Sequence, residues 1–383
     1  MAKTPRQSYP PLPLSPAFYA TLFEVGRRFG LDLGDRSELS RAVLALSRTY
    51  TTQRSELASG SSGASAMLAR LGFFLPRDLV KLFGPLTELS RAGRLPSPTT
   101  LRVLDLGAGL GTTSLGLARF LRAQRSAVTQ LSLHVVERDA EARKLMAALC
   151  GALGPRNDEF VPMRIEAESA DARRPNAKGL FHLVLAGLVL NELFVDDSPE
   201  ERVRARARLL AALSDELDEH GAIVVLEPAL RENTRELMRL RDVLLQQSAL
   251  HVFAPCVHRA PCPMLPRERD WCHETLDYAL PPELASVARA AGLRYEGLHY
   301  AALVLTRRAR FAEPSELVRI VSDPQKSKGK LEFFGCSASG YQRITRLDRD
   351  ASANNAAFGE LRRGDIMEQG PLRIERDHAV KRR

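Results

Sequence analysis

The sequence predicts a doubly wound α/β sheet, with a helical cap ahead of it and a small β-rich segment behind it. Three observations carry that expectation. A glycine-rich turn, Asp105-Leu-Gly-Ala-Gly-Leu-Gly111, joins an apolar run to a helical pattern. A second apolar run ends in the carboxylate of Glu137, at the distance where an acid grips a ribose hydroxyl pair in such folds. Further apolar runs then alternate with helical stretches, as parallel strands joined by crossovers require.

In chain order, residues 1–16 are proline-rich and are expected to be a disordered tail, followed by a helical cap over residues 17–97. Leu39, Val43, Leu46 and Tyr50 recur at helical spacing. Thr51 to Ala64 is rich in Ser and Gly and reads as a loop. Ala66 to Ser90 is a second helical region, expected to break near Pro76 and Pro85. The prolines of Leu95-Pro-Ser-Pro-Thr99 then mark the boundary of a domain spanning 98–310, with a cysteine insert at 250–280 and a basic segment at 311–383.

Leu101 to Leu106 is the first strand, and Asp105 within it would cost burial energy without a role, so it is assigned to orienting the turn or its ligand. Gly107, Gly109 and Gly111 let backbone bend sharply or meet a ligand with no Cβ between. From Thr112, the residues Leu115, Leu117, Ala118 and Leu121 share a helix face, so the turn opens onto free helix N–H groups suited to a nucleotide-type ligand. Leu131 to Val136 leads to Glu137, the candidate ribose ligand, and a helix runs from Ala140 to Leu149 with Cys150 as a buried filler. Val161 to Ile165 is a third strand; of Glu166, Glu168 and Asp171 behind it, Asp171 is assigned to an adenine amino group. Phe181 to Leu190 is a fourth strand leading to Asn191, either a positioning residue or a helix cap. Ser198-Pro-Glu-Glu starts a helix expected to reach His220 and stop at Gly221, before a fifth strand from Ala222 to Leu226. Leu293 to Thr306 holds the closing strands.

At 383 residues and 44% hydrophobic, the chain can bury one large core. No apolar run reaches spanning length and no leader pattern opens the chain, so a cytoplasmic protein without membrane contact is expected. The net charge of +9 is uneven: residues 1–100 carry 13 basic against 7 acidic, 101–310 carry 28 against 28, and 311–383 carry 14 against 11. Basic flanks around a neutral core suit a grip on a phosphate backbone, or a solvated surface.

Four of the five cysteines, Cys256, Cys262, Cys272 and Cys336, fall in stretches expected to be proline- or glycine-flanked loops beyond the core, as metal ligands do. Nothing in the sequence marks export to an oxidising compartment, so disulfides are not expected. Five and then nine residues separate the first three, and 63 separate the third from the fourth. That looseness suits a 4Fe-4S cluster, while His258 and His273 keep zinc open.

The Asp-x-Gly-x-Gly-x-Gly turn resembles the first motif of class I, Rossmann-like S-adenosylmethionine-dependent methyltransferases. Together with Leu188-Val-Leu-Asn-Glu-Leu193, Val225-Leu-Glu-Pro228, Cys256-x-His258, Pro261-Cys-Pro263 and Asp270-Trp-Cys-His273, it resembles the methyltransferase-like proteins of the mitochondrial small ribosomal subunit and their bacterial relatives, over about residues 70 to 367. Val257 and Leu110 stand where that family commonly has proline. The resemblance implies S-adenosylmethionine at Asp105, Gly107, Gly109, Gly111, Glu137 and Asp171, and a 4Fe-4S cluster on Cys256, Cys262, Cys272 and Cys336. It further implies action, as a monomer away from the ribosome, on small-subunit rRNA and precursor particles. No catalytic residue is assigned; the alternatives are an active rRNA methyltransferase with structural zinc and a small-molecule methyltransferase.

Overall fold

Five of the apolar runs form parallel strands: β1 (Thr100–Leu106), β2 (Gln130–Val136), β3 (Met163–Glu168), β4 (Phe181–Gly187) and β5 (Leu217–Pro228). They lie in the order β3-β2-β1-β4-β5. Leu101, Val103, Leu104 and Leu106 of β1 are all buried, as expected where helices cover both faces of a sheet. Chain order reverses between β1 and β4, and at such a switch point ligands bind outside the carboxyl ends of the strands. The structure is a computed structural model describing residues 13–52, 63–153, 158–293, 296–311, 317–368 and 380–382.

The cap begins earlier than the sequence suggests. Helix α1 (Pro16–Arg28) is preceded by Ser15, whose hydroxyl accepts from Phe18 N at 3.1 Å, and Leu14 is buried. Residues 13–16 therefore belong to the cap rather than to a tail, because a Ser-Pro pair is a helix start. Residues 1–12, and 53–62 of the Ser/Gly stretch, lie outside the described residues. Helix α2 (Arg36–Thr52) follows. The helical path from Ala64 then passes through a π turn at Arg70–Phe74 and a 3₁₀ stretch at Leu79–Leu82 into α3 (Phe83–Arg91). The break expected at Pro76 is absorbed by this change of helix type.

Helix α4 (Thr112–Ala123) crosses that stretch at Gly116, where a Cβ would lie 2.4 Å from the Leu79 carbonyl oxygen. Helix α5 (Ala140–Leu153) buries Cys150, whose thiol burial raises to about 12. Helix α6 (Pro199–Leu213) is capped by Ser198 as expected, but ends seven residues short of His220. Ser214 bonds back to Ala211 O, and Leu217 pairs with Phe181 across a register shift, so β5 begins before Gly221. The polar run Asp215 to His220 hid that irregular start. The fourth strand likewise stops at Gly187, because Leu188 takes a left-handed φ of 60° and Leu190–Glu192 forms a 3₁₀ turn.

The chain divides into two compact units, one running through Glu227 and including Leu276–Leu298, the other comprising Pro228–Thr275 and His299 onward. The cysteine insert thus groups with the C-terminal segment. This second unit contains α7 (Arg231–Gln247), β6 (His251–Ala254) and the antiparallel partner of β6 in β8 (Glu296–Thr306). The stretch Leu293 to Thr306, expected to hold the closing strands, supplies the single strand β8, and a further strand, β7 (Glu274–Ala279), comes from upstream, ahead of α8 (Pro282–Ala290) of the first unit; neither β7 nor α8 is marked by the sequence pattern.

The expected β-rich segment is a six-stranded antiparallel sheet. It is built from β9 (Leu317–Ile320), β10 (Gln325–Ser327), β11 (Lys330–Ser337), β12 (Gly340–Leu347), β13 (Ile366–Glu368) and β14 (Val380–Arg382). Its core joins Val318, Ile320, Leu331, Phe333, Ile344, Phe358 and Met367. Among the described residues, no helix is long and apolar enough to cross a membrane.

Candidate functional site

The glycine turn is built by three left-handed residues, Gly107 (φ 63°), Gly109 (φ 55°) and Gly111 (φ 80°). L side chains pay for that conformation, and two of the glycines are also needed for space. A Cβ on Gly107 would meet Val189 at 2.3 Å, and one on Gly111 would meet Met146 at 2.8 Å. A Cβ on Gly109 would meet nothing within 4 Å, so open space lies against this stretch of main chain.

Asp105 is fully buried and accepts from Thr113 Oγ1 at 2.9 Å and Ser114 Oγ at 2.5 Å, both in the first turn of α4. Burial raises its carboxyl to about 6, while the two hydroxyls pull the other way. Asp105 therefore braces the turn from inside. Glu137, at the end of β2, accepts from Gly109 N and from Asp139 N, both at 2.8 Å. The structure thus brings Glu137 and Gly109 together. Asp171 accepts from Arg173 N at 2.9 Å and Arg173 Nε at 2.8 Å, and these bonds hold its carboxyl below the usual carboxylate range. Its carboxylate faces its own loop.

At the carboxyl ends of β4 and β5, Asn191 meets charged groups to which the sequence assigned no role. Glu227 accepts from Asn191 N at 3.3 Å, yet Glu227 Oε2 and Asn191 Oδ1 are buried without a hydrogen-bond partner among the described residues. Burial raises Glu227 to about 8, with Arg206 opposing. Burial also raises Glu192, against the pull of Arg70, which donates to Tyr50 Oη at 3.4 Å. Asn191 is thus held through its main chain rather than capping a helix. An acid closing an apolar strand was the available signal for Glu227; Arg70, inside a helical pattern, gave none until the π turn placed it.

The second constellation is in the other unit. Cys256 and Cys262 lie in the loop after β6 and Cys272 just before β7, whereas Cys336 sits on β11 rather than in the expected loop, because Lys330–Ser337 pairs along its length with β12. The structure gathers all four: burial raises the thiols of Cys262 (to about 11), Cys272 and Cys336, and each possible pairing among the four cysteines adds to those shifts. Met238, Met264, Trp271 and Tyr341 pack around Cys262 and Cys272.

The 255–273 loop has no regular structure, so its carbonyls need other donors. Helix α7 supplies them. Arg235 donates to the carbonyls of Leu265, Arg267 and Asp270 at 2.7–2.8 Å, and Arg241 to those of His258 and Ala260 at 2.6 Å. Asp242 accepts from Cys262 N at 2.9 Å.

His258 Nε2 lies 3.5 Å from Cys336 Sγ. Burial lowers His258 and His273 to about 4, with Arg241 and Arg363 adding to the effect respectively. Among the described residues, no group of three or more His, Cys, Asp or Glu side chains is arranged to hold a metal ion.

In the basic C-terminal segment, Lys326 and Lys328 are exposed, while Lys330 and Arg343 share Glu332. Arg346 stacks on Phe358 and donates to Asn355 O at 2.9 Å, and Arg349 lies 3.9 Å from Asp350.

Comparison with solved structures returns methyltransferases of low identity. A SAM-dependent methyltransferase of Leishmania major is 12% identical, with a TM-score of 0.36, over 71% of this chain and 86% of that one. An rRNA methylase of Streptococcus thermophilus is 11% identical, with a TM-score of 0.30, over 59% and 95%. A methyltransferase of Pyrococcus furiosus is 11% identical, with a TM-score of 0.32, over 58% and 83%. No curated protein sequence matches the chain. The family model described as mitochondrial small ribosomal subunit Rsm22 matches residues 82–357, most of the chain including both constellations, and the chain belongs to that family.

Proposed function

We propose that this chain is a methyltransferase-like protein of small ribosomal subunit assembly that binds S-adenosylmethionine at the glycine turn and a 4Fe-4S cluster at the four cysteines. The observation that carries the first part is the open main chain at Gly109 beside Glu137. A carboxylate has about four lone-pair sites. Glu137 spends one on Gly109 N and one on Asp139 N, leaving acceptors for the paired hydroxyls of a ribose. Asp105 keeps the turn and α4 in register, and Asp171 is the candidate acceptor for an adenine amino group, which would have to draw its carboxylate away from Arg173.

The cysteine set accommodates a cluster. A four-iron cube holds its thiolates at the corners of a body wider than one metal, so the sulfurs need not converge on a point. The four cysteines lie near enough for a charge on one to raise the others, and a buried cation, Arg241, lies near Cys256 and Cys262. The family resemblance, rather than this arrangement, favours iron and sulfide over zinc. When bound, the cluster would supply a cross-link whose formation is coupled to folding. Cys256, Cys262 and Cys272 would hold it from the loop, Cys336 from the sheet.

The ribosomal reading rests on the family to which the chain belongs and on its basic flanks. We assign the protein to the cytoplasm, where it would meet precursor particles. Calorimetry with S-adenosylmethionine on wild type and Gly109→Arg tests the donor site: binding abolished by the substitution is expected, and equal binding would overturn it. Salt-sensitive binding of small-subunit rRNA is expected in parallel, and its absence would favour a small-molecule methyltransferase. Cys336→Ser should lose iron absorbance and loosen the C-terminal sheet to proteolysis.

A further inference from the structure

Arg241 does more than hold the cysteine loop. It is 2% exposed, and two of its nitrogens are used: Nη1 donates to Ala260 O at 2.6 Å and to Asp242 Oδ1 at 2.5 Å, and Nη2 to His258 O at 2.6 Å. Its Nε–H is buried without a hydrogen-bond partner among the described residues. A buried unsatisfied donor on a charged group is destabilising, and α7 could carry an uncharged residue at this position. Burial works against the guanidinium charge, but Cys256, then Asp242, then Cys262 more than offset it. The orphaned donor therefore sits in a field set by two of the cluster ligands.

We propose that Arg241 is a positioning residue for the iron-sulfur cluster, its Nε–H donating to sulfur on the Cys256 and Cys262 side while its Nη groups fix the loop that carries those cysteines. The inference rests on the cluster reading above. Hydrogen bonds and positive charge near cluster sulfurs favour the reduced, more negative state and so raise the reduction potential. Arg235 is the internal control, because it binds the same loop through carbonyls alone.

The full-length protein, reconstituted anaerobically with ferrous iron and sulfide, is compared with Arg241→Gln, Arg241→Lys and Arg235→Gln. Iron and sulfide per chain are measured, then the midpoint potential by redox titration followed by electron paramagnetic resonance. Arg241→Gln should shift the reduction equilibrium at least tenfold toward the oxidised state, 59 mV for one electron. Arg241→Lys, which keeps the charge but not the fork, should fall between Gln and wild type. Arg235→Gln should loosen the loop to proteolysis at wild-type potential. A loaded Arg241→Gln at wild-type potential overturns the proposal; if that variant takes up no iron, Arg241→Lys at wild-type potential overturns it equally. Wild type that binds no iron removes the cluster reading and this inference together, whereas a loaded wild type indifferent to Arg241 removes only the inference.

Discussion

Replacing Glu227 with glutamine should change how stability depends on pH. Glu227 is 3% exposed, and its carboxyl is raised from the ordinary 4.5 to about 8, chiefly by burial. A carboxyl with a raised folded-state pKa binds more protons in the folded than in the unfolded chain, so stability falls as pH rises through the interval between the two values. Each pH step within it costs about 1.4 kcal/mol. Between pH 4.5 and 7 the loss is about 3 kcal/mol, and above about 8 the contribution is flat.

Glutamine mimics the protonated acid and keeps an acceptor for Asn191 N, so Glu227→Gln should lack this slope. His258 and His273, lowered to about 4, impose the opposite slope between 4 and their ordinary 6.5 in both proteins. The difference between variant and wild type cancels them. Urea unfolding of both proteins at pH 5, 6, 7 and 8 should show the variant gaining on wild type as pH rises. A difference that is constant across that range would mean Glu227 is ionised when folded, and would refute the reasoning.

Two further substitutions probe the first unit. Asp78 and Lys81 are both buried, with Nζ 3.0 Å from Oδ1, and Arg77 donates to both Asp78 oxygens at 2.6 and 2.7 Å, so Asp78→Ala strands an ammonium and a guanidinium and should cost about 3–5 kcal/mol in urea unfolding. Adding Lys81→Met should return only the part of that loss due to the ammonium. Gly107→Ala forces a left-handed alanine, about 1–2 kcal/mol, and drives its Cβ into Val189. Thermal unfolding should show Val189→Ala returning only part of the loss, since it removes the 2.3 Å contact with Cγ2 but keeps the Val189 Cβ at 2.9 Å, and the backbone part persists.

The sheet was legible because a strand buried on both faces is a short apolar run between turn signals, and Leu101–Leu106, Leu131–Val136 and Phe181–Gly187 are such runs. Ser198-Pro199 announced its helix through capping chemistry alone. The end of that helix was hidden, since Asp215 to His220 is polar in either state and only Leu217 reaching Phe181 selects strand. At the turn, glycines marked backbone need, and the positive φ angles show where it lies. The sequence could not show that Asp105 spends its oxygens on Thr113 and Ser114, nor that Asp171 turns to Arg173. Those preferences are set by distances between neighbouring side chains. The Arg235 and Arg241 pair escaped notice because its partners are carbonyls, and main-chain acceptors leave no trace in a sequence.

Glu274, next to Cys272 and His273, is gripped by Arg319 of β9 through Nη2 at 2.8 Å and Nε at 3.1 Å. A chain ending near residue 310 would retain three thiols of the nest, forfeit the fourth, and abandon a nearly sequestered carboxylate to no cation. Insert and tail are therefore expected to stand or fall together: removing residues 311–383 should open the 255–273 loop to proteolysis.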